Sequence, residues 1–193
     1  MKILGGIGVV LLLVGVWAVS SYNGLVGKNE AVNAAWGQVQ NVYQRRLDLV
    51  PNLVETVKGA AKFERETLSA VVTARSKVGS FTVDQSVLDN PDKFRQFENA
   101  QGELGRALSR LMVVVERYPE LRATQNFRDL QTQLEGTENR IAVERRSFNE
   151  TAQAYNTALK VFPGVIVGRL AGFQPRPYFE AAPQAQSAPA VKF

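Results

Sequence analysis

Residues 124–162 read TQNFRDLQTQLEGTENRIAVERRSFNETAQAYNTALKVF and end immediately before Pro163. Phe127, Leu134, Ile141, Phe148, Tyr155 and Phe162 recur at an unbroken spacing of seven, with Leu130, Thr137 and Ala158 at the matching intermediate positions. A stripe of that period keeps one face of an α-helix turned toward partner helices, as in a coiled coil. Arg128, Gln133, Arg140, Arg146 and Asn149 fall on the opposite face, which reads as solvated. The rest of the chain reads as material that packs on this helix or follows its end.

Working back from Thr124, Phe94, Phe97, Leu104, Leu108, Leu111, Val115 and Tyr118 follow one another at intervals of three and four, broken only by Gln101. Asn90-Pro91 supplies an N-cap and a first-turn proline for this helix, and Pro119 ends it. Thr124 is placed to cap the helix that follows. Residues 81–90 read as a loop with some apolar content. Earlier still, Leu53, Val57, Ala60, Leu68, Val71 and Val78 form a helical pattern that ends at Gly79. Val32, Trp36, Val39, Tyr43 and Leu47 form another, running on from Leu25. Pro51 separates these two patterns, and proline in a helix interior removes a backbone hydrogen bond and crowds the preceding turn. The spacing predicts helices over 22–49, 51–79, 91–117 and 124–162. The competing reading is one long helix kinked at Pro51. Near-equal lengths with short connections predict an all-α fold, an antiparallel, up-down-up-down four-helix bundle.

The N-terminal residues 3–22 are apolar, with no charge between Lys2 and Lys28. That is about the ~20 residues needed to span a bilayer. No small-residue cleavage site precedes Ser20 or Ser21, and Trp17 and Tyr22 stand where interfacial aromatics belong. A retained single-pass transmembrane anchor is therefore expected over a cleaved signal peptide. Lys2 and the α-amino group on one flank, against Lys28 offset by Glu30 on the other, favour an extracytoplasmic bundle.

An up-down-up-down bundle whose first helix leaves the membrane returns its fourth helix there. The expected organisation is thus an anchor at 1–22, a bundle at 23–162, an apolar membrane-proximal segment at 163–180 and an Ala/Pro/Gln tail at 181–193. The tail lacks the apolar content to fold. The 163–180 segment is expected at the bilayer surface or at the membrane end of the bundle, with a coiled cover of that end as the alternative. Gly164, Gly168 and Gly172 recur every four residues, a spacing that lets helix backbones approach closely, and they form a possible interface.

Chemistry has little to stand on. The 193 residues contain no Cys and no His, which excludes disulfides, thiolate nucleophiles, haem or iron–sulfur ligation and the commonest general base. Serines occur in neither a Gly-x-Ser-x-Gly nor a Ser-x-x-Lys setting. Glu-x-x-Glu pairs lack the histidine that completes a di-metal helical site. The net charge of +5 is spread among acidic residues, so nucleic acid is not expected as a partner, and with no Gly-rich phosphate loop after a strand no cofactor is expected either. Two polar clusters stand out instead. Arg45, Arg46 and Asp48 precede Pro51, with Glu55 after it; Glu138, Asn139, Arg140 and Arg145 lie midway along 124–162. They read as a structural polar network that fixes register, with Glu138 pairing to Arg45 or Arg46 across the bundle.

The chain resembles the LemA family in Tyr22-Asn-Gly-Leu-Val, Ala35-Trp36 and RRLDLVPNLVETVKG at 45–59. Tyr118-Pro-Glu-Leu-Arg-Ala, Asn126-Phe127, Leu130-Gln131, Thr137-Glu-Asn-Arg-Ile-Ala, Arg145-Arg146, Phe148-Asn149, Tyr155-Asn156, Phe162-Pro163, Gly172-Phe173 and Tyr178-Phe179-Glu180 carry it further. The likeness covers roughly residues 20–180. Gly27-Lys28-Asn29 and Phe63-Glu64 depart from the family pattern. The resemblance implies a single-pass bacterial membrane protein with an antiparallel helical bundle, placed by the family on the cytoplasmic side, and it implies no particular enzyme activity; with no catalytic motif in the sequence, a non-enzymatic protein of the bacterial inner membrane is expected. Members are associated with membrane stress and with neighbouring membrane proteases. The expected role is a membrane scaffold that self-associates, a homo-oligomer on the lipid bilayer; an adaptor or regulator of a membrane protease or signalling complex is the alternative.

Overall fold

The computed structural model describes residues 2–59, 64–81 and 84–180, with side chains from residue 6. The helices are α1 (Lys2–Lys58), α2 (Arg65–Gly79), α3 (Ser86–Asp89), α4 (Pro91–Val115), α5 (Pro119–Arg122), α6 (Gln125–Lys160) and α7 (Gly164–Ala171). Among the described residues there is no strand. The 181–193 tail lies outside them.

The predicted break at Pro51 does not occur. Helix α1 runs unbroken for 57 residues with Pro51 inside it, a length of roughly 85 Å at about 1.5 Å per residue. Proline cannot bond to the carbonyl four residues back. That carbonyl belongs to Leu47, and it accepts a hydrogen bond from Arg75 Nε of α2 at 3.3 Å. The α1 helix therefore continues to Lys58, and α2 is only 15 residues long against 25 for α4 and 36 for α6. Among the described residues, the near-equal helices expected from the sequence are replaced by the long α1 and by α2, α4 and α6 of unequal length.

Burial changes abruptly along α1. Ile7, Val9, Val10, Leu11, Leu12, Leu13, Val14 and Val16 are exposed, whereas Leu25, Val32, Trp36, Val39 and Tyr43 are buried. The first half is long and apolar enough to cross a membrane. The second half is a core helix with the expected periodicity.

The caps match the sequence. Asn90 Oδ1 accepts from the Asp92 and Lys93 amides at 2.9 and 3.1 Å, with Pro91 opening α4. Thr124 Oγ1 accepts from the Phe127 amide at 3.4 Å. The loop expected at 81–90 instead holds α3, which buries Val87 and Leu88.

The core is divided in two. Val50, Leu53 and Val57 of α1 pack with Val71 and Val78 of α2, Leu104, Leu108 and Leu111 of α4, and Phe127 and Leu134 of α6. Val32, Trp36, Val39 and Tyr43 pack with Val87, Leu88, Phe94, Phe97, Ile141, Phe148 and Tyr155, and with Phe179 from the C-terminal segment. Arg46, Gln101 and Thr137, all buried, lie between the two clusters along α1, α4 and α6. Partners of α1 descend along α6 as α1 ascends. Trp17 meets Phe162, Trp36 meets Phe148 and Arg46 meets Glu138.

Candidate functional site

The polar layer centres on Arg46. A buried charge is costly unless paired and hydrogen-bonded, and Arg46, only 3 % exposed, meets that demand on two sides. Its Nη1 donates to Glu138 at 3.1 Å. Its Nη2 donates to the Gln101 carbonyl at 3.1 Å and also to the Gln101 side chain. The guanidinium lies over the Tyr43 ring, 5.0 Å from its centroid. Burial pushes the Tyr43 hydroxyl above its ordinary range, against the opposing pull of Arg145 and Arg46. Thr137 Oγ1 turns back to the Gln133 carbonyl at 2.7 Å.

Of the expected network, the structure brings together Arg46 and Glu138. Arg45 is exposed. Asp48 accepts from Gln44 and Glu55 from Lys58, both local surface pairs on α1. Asn139 and Arg140 point outward as exposed residues. Arg145 belongs to a different assembly, bonded to Glu98 at 2.8 Å and to the Glu180 carbonyl at 2.9 Å. Gln101, the buried partner of Arg46, was visible in the sequence only as the one break in the apolar stripe of α4.

That second assembly straps residues 173–180 along the helices. Asn156 of α6 grips the backbone of Arg176 twice, through Nδ2 to its carbonyl and Oδ1 from its amide, each at 2.8 Å. Asn149 does the same to Phe179, at 2.9 Å each. Tyr155 donates to the Gln174 carbonyl at 3.1 Å, and Arg176 reaches Asn29 of α1 and Asp89 of α3. Phe179 is thereby seated among Trp36, Phe94 and Phe148. Asn149 had read as a solvated residue. The backbone it serves is too distant in sequence for helical periodicity to reveal.

At the apolar end, two of the three glycines serve the chain's own packing. Gly164 and Gly168 are buried, where α7 lies against Leu25 of α1 and against α6. A Cβ on Gly164 would collide with the Ala158 carbonyl, whereas one on Gly168 would lie 2.7 Å from the end of the Leu159 side chain. Gly172 is not on that face: it ends α7 in the left-handed conformation, with φ of 77°, which glycine adopts without strain. Phe162, the last member of the heptad stripe, leaves the core and packs beside Trp17 at 4.9 Å.

Nothing in these assemblies forms a nucleophile–base pair. Among the described residues, no group of three acidic side chains is placed to hold a metal ion.

Comparison with known proteins matches the LemA family over residues 35–193. Magnetosome protein MamQ of Magnetospirillum gryphiswaldense is 28 % identical over 179 residues, covering 84 % of this chain and 65 % of that protein. Magnetosome protein MamQ 2 of Paramagnetospirillum magneticum gives the same identity and coverage. Protein LemA of Metamycoplasma hominis is 26 % identical over 136 residues, covering 70 % of this chain and 57 % of that protein. The chain thus spans under two thirds of the length of these relatives.

Proposed function

The chain belongs to the LemA family, and on that premise we propose that it is a non-enzymatic scaffold of the bacterial inner membrane. In this reading α1 anchors it as a single pass, and α1, α2, α4 and α6 form an antiparallel four-helix body that self-associates. The observation that carries the reading is α1 itself. One unbroken helix has an exposed apolar half and a half buried in the core, so the body and the apolar segment are mechanically one piece. A rigid post of that kind suits holding partners at a set distance from a bilayer. The magnetosome in the names of two relatives fits work within a cellular structure better than turnover of a small molecule. The charges flanking residues 3–22 support an extracytoplasmic body; the family's cytoplasmic placement is the alternative.

The test is the mass of the full-length protein in lipid nanodiscs, by light scattering corrected for bound lipid, after confirming resistance to alkaline extraction from membranes. A defined oligomer supports the scaffold. A clean monomer overturns self-association and favours the second reading, an adaptor for a membrane protease or signalling complex. One observation supports that alternative: a groove of about 560 Å³ between α4 and α6, lined by Leu108, Met112, Leu134 and Asn139 among others.

A further inference from the structure

Helix α7 buries its glycine edge and turns its large side chains outward. With Gly164 and Gly168 against Leu25 and Leu159, Val165, Ile166 and Leu170 are left exposed, Leu170 at 84 %. Val161 and Phe162 extend the same surface, Phe162 at 69 %. This patch is continuous with the apolar half of α1, because Phe162 packs on Trp17 and Phe173 on Tyr22. Trp17 lies five residues inside Tyr22, roughly 7.5 Å along the helix axis at about 1.5 Å per residue. Phe162 therefore sits at the depth of the last turns of the apolar segment rather than beyond them.

The two chain segments that meet at this end carry charge of one sign. No Asp or Glu occurs in 3–29 or in 151–179, while Lys28, Lys160 and Arg169 are all exposed there. Lys28 also borders a cleft of about 260 Å³ between α1 and the start of α7, which Trp17, Ser20, Ser21 and Gly164 help to line. Apolar side chains rimmed by basic ones match the boundary between acyl chains and anionic headgroups.

We propose that 161–170 is a second membrane element, a collar that beds Phe162, Ile166 and Leu170 into the acyl boundary while Lys28, Lys160 and Arg169 engage anionic phospholipid headgroups. The inference rests on the reading of α1 as a membrane anchor. It deepens that reading by giving the anchor a lateral foot, which fixes the tilt of the body against the bilayer.

The chain has no native cysteine, so single-site labelling of the full-length protein tests it directly. Leu12→Cys, Phe162→Cys, Ile166→Cys, Leu170→Cys and Val113→Cys are labelled with an environment-sensitive fluorophore. Each is reconstituted into phosphatidylcholine vesicles with and without phosphatidylglycerol, then challenged with aqueous and lipid-borne quenchers. Labels at 162, 166 and 170 are expected to be at least five-fold less accessible to the aqueous quencher than the label at 113, and deepest in the anionic vesicles. Combining Lys160→Gln and Arg169→Gln removes the difference between vesicle types. Labels at 166 and 170 as accessible as that at 113, with Leu12→Cys protected, overturn the collar and leave the anchor standing. An accessible label at 12 overturns the anchor reading. Equal protection in both vesicle types overturns the choice of anionic headgroups.

Discussion

The guanidinium of Arg75 caps the carbonyl of Leu47, at 3.3 Å, the backbone acceptor that Pro51 leaves empty four residues later in the same helix. Proline in a helix interior lowers stability by about 3 kcal/mol relative to alanine, and a hydrogen bond from a charged donor is worth about 1.5–3 kcal/mol. Because Arg75 is exposed, the lower end applies. Arg75→Ala is expected to destabilise the protein by about 1–1.5 kcal/mol in denaturant titrations. In a Pro51→Ala background the Leu47 carbonyl regains its helical partner, so the same substitution is expected to lose most of its effect. An undiminished effect there would show that Arg75 acts through something other than the orphaned carbonyl.

The Arg46 layer makes an asymmetric prediction. Glu138→Ala leaves a buried guanidinium with only Gln101 as hydrogen-bond acceptor, and should cost about 2–3 kcal/mol, reduced from the 3–5 typical of a fully buried pair because Glu138 is partly exposed. Replacing the layer by apolar groups of similar size, as Arg46→Met with Gln101→Leu, removes the buried charge and its acceptor together. That double variant should lose less than Glu138→Ala alone. Comparing the two denaturation midpoints decides it, since a larger loss in the double variant would mean the layer stabilises outright.

The two buried glycines of α7 separate by what a side chain would strike. At Gly164 it would strike the Ala158 backbone, which has no room to move; at Gly168 it would meet the rotatable tip of Leu159. Gly164→Ala should therefore undock α7, with a loss of about 1–3 kcal/mol, and speed limited proteolysis in 161–172. Gly168→Ala should show a fraction of either effect.

How much of this was legible in sequence follows from range. Periodicity and capping are local, so the core stripe of α6, the Asn90 and Thr124 caps and the apolar start of α1 could all be read. The Arg46–Glu138 pair was reachable as one of two alternatives, because Arg46 follows Tyr43 by three residues on the apolar face of α1 and Glu138 adjoins Thr137 in the stripe of α6, which left Arg45 or Arg46 as its partner. Pro51 misled for a definite reason: its penalty is local, but its remedy comes from Arg75 on another helix. The strap was invisible because Asn149 and Asn156 bond to backbone atoms, and backbone acceptors carry no residue signature.

The strap predicts its own phenotype. Asn156→Ala removes both bonds to the Arg176 backbone and should cost about 2 kcal/mol from two hydrogen bonds at about 1 kcal/mol each. Phe179 would then leave the Trp36–Phe94–Phe148 cluster more readily. With Trp17 replaced by Phe, so that Trp36 alone reports, emission should shift to the red and quencher access should rise. A stable protein with unchanged Trp36 emission would show that Asn149 and Tyr155 suffice to hold the strap.

Glu98 sets the pH dependence of the same strap. It accepts from Arg145 at 2.8 Å and from the Glu180 amide at 3.3 Å. Burial raises its carboxyl above the ordinary value of 4.5, and this outweighs the opposing attraction of Arg145 and the Glu180 amide. A carboxyl that holds its proton more tightly when folded binds more protons in the native than in the unfolded chain across that window. Stability from this group is therefore fully present below pH 4.5 and declines as pH rises through the raised folded value. Glu98→Gln cannot titrate. Subtracting its stability–pH curve from that of the wild type should leave a difference that falls from pH 4.5 upward and then flattens. A difference that rises with pH over the same range would mean that the ion pair with Arg145 dominates burial, reversing the sign assigned to Glu98.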